Sequence, residues 1–181
     1  NAKAKQWLKG RTNLFKQIAE SYNNSKKAVW IHCASLGEFE QARPLIEKLR
    51  KKHPKKKIVL SFFSPSGYEI RKNYKEVDAV FYLPLDTQRN ARIFIKLINP
   101  ELAIFIKSEF WFNCLHELDN KQIPFVFVSS KLSSKLYLFS WYGKWFLNHL
   151  KAAKAVFVQD ELSKKLLNEN KFHNAYITGN T

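Results

Sequence analysis

The sequence predicts an α/β domain built on one parallel sheet with helices on both faces. Short apolar runs alternate with longer amphipathic stretches along almost the whole chain, which is the pattern of strands joined by crossover helices. Most of the runs are apolar at nearly every position, as expected for strands covered on both sides. The 181 residues are 45% hydrophobic, with 15% Phe, Tyr and Trp, so one domain can bury a substantial core.

In chain order, residues 1–25 form a leading segment whose Trp7–Tyr22 stretch reads as helix. Strands are expected at Val29–Cys33, Lys57–Phe62, Ala79–Leu83, Leu102–Ile106, Phe125–Ser129, Ala155–Val158 and Ala175–Thr178. Helices are expected at Glu38–Lys52, Ser66–Tyr74, Gln88–Leu97, Phe110–Asn120, Leu136–Lys151 and Glu161–Asn170. In the first, Phe39, Ala42, Leu45, Ile46 and Leu49 share one face at helical spacing. The basic run "RKKHPKKK", Arg50 to Lys57, closes that helix, where cations suit the helix dipole, and leads into the next strand. Pro84 ends the third strand, and Asp86 or Thr87 caps the helix after it. The final "ITGNT" follows a strand with no helix after it, so the chain reads as part of a longer protein; it also lacks an initiator Met, and upstream sequence is expected.

A net charge of +16 attracts anions: nucleic acid, acidic lipid or a phosphorylated substrate. It equally suits a lysine-rich surface made for solubility. Two cysteines, Cys33 and Cys114, form no metal-type pair and argue against a secreted disulfide scaffold. No run is long enough to span a membrane, and no signal peptide opens the chain.

Parallel sheets bind ligands beyond the C-terminal ends of their strands, so the loops after the strands are the ones to search. In "CASLGEFE", Gly37 offers a tight turn and close backbone approach, and Glu38 falls in the first helical turn. The same residues make a helix start, with Ser35 as N-cap and Glu38 completing an S-x-x-E box. In "SFFSPSGYE", Ser64, Ser66 and Gly67 offer hydroxyls and N–H groups to an anion, or form a Pro-containing turn with a Ser cap. In "FIKSEFWFN", Glu109 and Trp111 leave the same sheet edge as Glu38, where two carboxylates can divide acid–base and positioning roles. The alternative is a helix-start Glu beside a packing Trp. In "VSSKLSSKLYLFSWYGKWF", lysines are interleaved with aromatics, and Trp141, Lys144 and Trp145 suit an anionic lipid interface. Core packing and base stacking are the alternatives, but no nucleic-acid motif is present and no nucleic-acid partner is expected.

Taken in order, "WIHCASLGEFEQARPLIEKL", "SFFSPSGYE", "YLPLD", "SEFW" and the terminal "TGN" resemble the N-terminal half of the Kdo transferases, which attach 3-deoxy-D-manno-octulosonic acid to lipid A precursors. The resemblance runs from about Trp30 to Thr181. It implies a Rossmann-like acceptor domain, the N-terminal half of a GT-B glycosyltransferase, with the donor CMP-Kdo bound by a C-terminal domain not in this chain. It implies an inverting transfer that needs no metal or other cofactor, at the cytoplasmic face of a bacterial inner membrane. The partners implied are a lipid A precursor, the anionic membrane surface and the donor domain; the family's N-terminal membrane anchor is not in these residues.

Matched position by position, Glu38 is the implied general base. Ser35, Gly37, Ser64, Ser66, Gly67, Glu109, Trp111 and Lys131 are the implied acceptor-binding set. Lys107 replaces the first Glu of the family's E-x-E-x-W, and Lys131 stands where Arg is usual, which removes a bidentate fork. Other readings are a different GT-B glycosyltransferase, or a non-enzymatic Rossmann-like module that binds anionic lipid or nucleic acid. The fragment alone is expected to be inactive.

Overall fold

The computed structural model describes residues 2–107, 110–133 and 149–179. Two short helices, α1 (Ala2–Lys9) and α2 (Leu14–Ser21), come first. The expected single helix is broken between them, where Asn13 takes a left-handed backbone (φ 59°) and amphipathic spacing alone gives no warning.

Seven strands follow: β1 (Ala28–Cys33), β2 (Lys57–Phe62), β3 (Ala79–Tyr82), β4 (Pro100–Ile106), β5 (Phe125–Ser130), β6 (Ala155–Val158) and β7 (Ala175–Ile177). All pair in parallel in the order β3-β2-β1-β4-β5-β6-β7. The helices between them are α3 (Leu36–Lys52), α4 (Pro65–Arg71), α5 (Gln88–Ile98), α6 (Phe112–Asn120) and α7 (Glu161–Glu169). The expected Leu136–Lys151 helix lies largely outside the described residues. Several expected bounds move by one or two residues, α3 starting at Leu36 rather than Glu38, β4 at Pro100 rather than Leu102 and α6 at Phe112 rather than Phe110, and α4 ends at Arg71, short of Tyr74.

Alternate residues of each central strand feed two cores. Trp30, Val59, Phe105 and Phe127 face one side, where Leu14, Ile18, Phe94, Leu115 and Leu167 of the helices pack. Ile31, Leu60, Phe62 and Ile104 face the other, against Phe39, Ala42 and Ile46 of α3. Every residue of β1 is buried, as its continuous apolar run requires.

The strand order reverses at β1 and β4. In open sheets of this kind the crevice beyond the C-terminal ends of the strands at that reversal is the binding position. The loops after β1 and β4 are therefore the structural centre of any site.

Candidate active site

Beyond Cys33 the chain turns through Ala34 and Ser35 into α3. Ser35 is the N-cap by backbone (φ −139°, ψ 172°), but its hydroxyl makes no capping bond. Glu38 Oε2 accepts the Ala34 N–H at 2.5 Å. The expected capping box is thus corrected: the extended Ser35 backbone brings the preceding N–H, not its own, to the carboxylate. Glu38 is only 7% exposed. It lies in the first turn of a 17-residue helix, where the dipole favours its charge. That charge, after burial, helps push the adjacent Cys33 thiol well above the usual range.

Gly37 is exposed and a Cβ there would meet nothing within 4 Å. It is helical, without a left-handed φ, so the expected tight turn at Gly37 is also corrected. Its lack of a side chain leaves bare backbone at the helix start.

The loop after β2 joins this turn directly. Ser64 N–H donates to the Ala34 carbonyl at 2.8 Å. Ser64 is the N-cap of α4: its Oγ accepts the Ser66 N–H at 3.3 Å and lies 2.8 Å from the Ser66 hydroxyl. Gly67 is buried, and a Cβ would strike the Phe62 ring, so this glycine serves close helix–strand packing. Of the three residues expected to meet an anion, Ser66 is the exposed one.

From β4, Trp111 reaches the same place. Its ring packs edge-on to His32 (5.4 Å, 89°) and against Phe63 (4.7 Å). Glu109 lies outside the described residues, as do Trp141, Lys144 and Trp145. Lys107, in place of the family's Glu, takes a left-handed backbone (φ 61°), and its carbonyl accepts the Ser130 hydroxyl at 2.8 Å. Lys131 is exposed after β5, two strands from β1. Its charge adds to the Ser163 hydrogen bonds that hold the Asp160 carboxyl low. Glu38, Ser35, Gly37, Ser64, Ser66 and Trp111 therefore gather at the reversal point, whereas Lys131 stands further along the edge.

Three side chains here have roles that the sequence reading did not give them. His32 is fully buried, its Nδ1 2.8 Å from Ser61 Oγ, which also takes the Trp30 indole N–H at 2.8 Å. Trp30 only donates, so the Ser61 hydroxyl accepts from the indole and shares a hydrogen bond with His32 Nδ1. Burial lowers the His32 pKa to about 3 and keeps the ring neutral. Its Nε2 and the Trp111 Nε1 are buried with no hydrogen-bond partner among the described residues.

Asp86 is the second. Rather than capping α5, which Thr87 does, its two carboxylate oxygens accept the N–H groups of Asn113 and Cys114, both at 3.0 Å. It caps α6 from a distance and so fixes the helix that begins beside Trp111. The signal was present in "YLPLD", but which helix it would serve depends on the crossover. Arg11 is the third, and nothing in the local sequence around it marks a role.

The chain is similar to known proteins in three respects. Residues 7–181 match the model of the 3-deoxy-D-manno-octulosonic-acid transferase (kdotransferase) family. Proteins named 3-deoxy-D-manno-octulosonic acid transferase are 34% identical over 110 residues in Haemophilus influenzae and 37% over 93 in Aquifex aeolicus, covering 60% and 51% of this chain. One from Rickettsia conorii is 28% identical over 161 residues, 87% of the chain. The chain spans 26%, 26% and 34% of the length of these relatives. In fold it matches a UDP-GlcNAc 2-epimerase from Neisseria meningitidis with a TM-score of 0.63 at 14% identity, covering 86% of this chain and 47% of that one. The match over nearly the whole chain, with Glu38 and its neighbours gathered at the strand-order reversal, shows that this protein belongs to the 3-deoxy-D-manno-octulosonic-acid transferase family.

Proposed function

We propose that this chain is the acceptor-binding half of an inverting GT-B glycosyltransferase that moves Kdo from CMP-Kdo to a lipid A precursor in lipopolysaccharide core biosynthesis. The observation that carries this reading is Glu38: a buried carboxylate, oriented by the Ala34 N–H, at the reversal point of a sheet whose family acts on Kdo. A general base must lie within hydrogen-bond reach of the proton it takes and keep acceptor capacity for it. An ionised carboxylate has about four lone-pair sites, and the Ala34 N–H takes one of them and orients the group.

In the transfer, Glu38 takes the proton of an acceptor sugar hydroxyl as that oxygen attacks the anomeric carbon of Kdo. A carbon–oxygen bond forms on one face while the bond to the CMP phosphate breaks on the other. CMP leaves with the electron pair, and the configuration inverts. No metal is assigned a role in this step. Ser35, Gly37, Ser64, Ser66, Gly67, Glu109, Trp111 and Lys131 are assigned to acceptor binding, and the donor to a domain outside this chain. The excess of basic residues favours an anionic leaflet, in keeping with work at the cytoplasmic face of the inner membrane. Trp141, Lys144 and Trp145 are assigned to docking there; unchanged liposome binding after their replacement would remove that role.

The test is Glu38→Gln in the full-length protein, assayed with CMP-Kdo and a lipid A precursor. Loss of a general base lowers kcat by about 10²- to 10⁴-fold. Activity within tenfold of wild type removes Glu38 as the base. Turnover of CMP-Kdo by these 181 residues alone would overturn the assignment of the donor to another domain.

A further inference from the structure

Arg11 sits between the two leading helices, far in sequence from Glu38 and the loops around it, yet it is wired to the site. Its guanidinium donates to three carbonyls: Nε to Leu83 at 2.9 Å, Nη1 to Trp7 at 3.1 Å and Nη2 to Phe63 at 2.8 Å. It also lies over three rings, with centroids at 4.1 Å for Trp7, 4.6 Å for Phe63 and 5.0 Å for Tyr82. No carboxylate pairs with it among the described residues. Burial lowers its pKa to about 10, which still leaves it charged at neutral pH.

The Phe63 carbonyl that Arg11 holds belongs to the same peptide group as the Ser64 N–H. That N–H donates to the Ala34 carbonyl at 2.8 Å. The Ala34 N–H, in turn, donates to Glu38 Oε2 at 2.5 Å. A continuous line therefore runs from a fixed cation through two backbone segments to the carboxylate. A charge on the acceptor side of the Phe63–Ser64 peptide polarises it and strengthens the Ser64 N–H bond to Ala34. From the Ala34 carbonyl to the Ala34 N–H, which belong to successive peptide groups, the link is one of position. The aromatic contacts brace the same path, because Phe63 packs on Trp111. Gly10 makes the arrangement possible: a Cβ there would strike the Tyr82 ring on which Arg11 rests.

We propose that Arg11 is a positioning residue for Glu38, so that the leading helical segment is a working part of the acceptor site. Its guanidinium fixes the Phe63–Ser64 peptide, that peptide fixes Ala34, and Ala34 holds the carboxylate. The inference rests on the reading of Glu38 as the base. Lysine cannot substitute for the guanidinium, because a single ammonium lacks the planar fork that reaches Leu83 and Phe63 together.

The experiment is a double-mutant cycle in the full-length protein, with CMP-Kdo and a lipid A precursor as substrates. Arg11→Met is expected to lower kcat by about 10- to 100-fold, the cost of a misplaced catalytic group, with the KM for CMP-Kdo within about twofold. Arg11→Lys is expected to be nearly as slow as Arg11→Met. Combining Arg11→Met with Glu38→Gln should be no slower than Glu38→Gln alone, because one residue acts through the other. Losses that multiply in the double variant would overturn the proposal, as would a kcat within about twofold of wild type in either Arg11 variant. Should Arg11→Met fail to give a cooperative unfolding transition, Arg11→Lys takes its place in the cycle. A wild-type protein with no transfer overturns the Kdo reading itself, and is thereby told apart from failure of the cycle.

Discussion

The two edges of the sheet differ in kind. At the C-terminal edge, three ionisable groups are held in place: the Glu38 carboxylate by a backbone N–H, the Arg11 guanidinium by three carbonyls, and His32 kept neutral by burial. At the N-terminal edge, Lys26, Lys27, Lys52, His53, Lys55, Lys56 and Lys57 ring a cleft of about 580 Å³. Glu101 and Asp78 answer only part of that charge, through Lys56 (2.5 Å), Lys57 (3.3 Å) and Arg50 (2.7 Å). A six-residue strand separates the edges by about 20 Å, well beyond the screening length of about 8 Å at physiological salt. The lesson is that this concentration of positive charge does not mark the site. At one edge the Glu38 and Arg11 charges are fixed in defined geometry; the other displays a cluster that solvent and salt screen.

Predictions follow that contrast. The largest expected difference is in turnover by the full-length protein. Against the 10²- to 10⁴-fold loss expected for Glu38→Gln, neutralising Lys26, Lys27 and Lys55 together by Gln should leave kcat within about twofold. A larger loss in the triple variant would mean that the two edges act as one.

Next comes His32. Its folded-state pKa is depressed from 6.5 to about 3, so between those values the unfolded chain binds a proton that the folded protein does not. Stability contributed by the neutral ring is present above the upper value and lost as pH falls through the window, at up to about 1.4 kcal/mol per pH unit. Urea unfolding at about pH 5 and about pH 7 should show this slope, and His32→Gln should flatten it. An unchanged slope in the variant would show that other groups cause it.

The smallest effects separate two glycines of the same edge. Gly67→Ala forces a methyl into the Phe62 ring and should cost about 1–3 kcal/mol. Gly37→Ala meets open space and should be neutral, or stabilising by up to about 1 kcal/mol, while raising the acceptor KM. Equal thermal unfolding midpoints for the two variants would contradict the packing difference.

Much of the architecture was legible because it is written locally. Continuous apolar runs such as "AVWIHC" and "LAIFI" must be buried on both faces, and that requirement gives a parallel sheet. The position of Glu38 at the start of α3 was equally local. Its partner was not: S-x-x-E predicts a bond to Ser35, and the extended Ser35 backbone delivers Ala34 instead. The roles of Asp86 and Arg11 join residues 27 to 72 positions apart, so no spacing rule could expose them. His32 read as one more residue of a buried strand, since the Ser61 hydroxyl that it shares with Trp30 comes from strand register and pleat.

Cys33 and Cys114 are the only thiols in the chain, and both are buried with their pKa values pushed well up. A thiolate is the reactive form, so neither invites alkylation in the folded state. A cysteine introduced at Gly37, exposed and unobstructed, would then be the single addressable thiol of the folded domain. A fluorophore or spin label attached there would report the surroundings of Glu38 in the folded domain, and the acceptor KM it raises would measure how much bare backbone the proposed site needs.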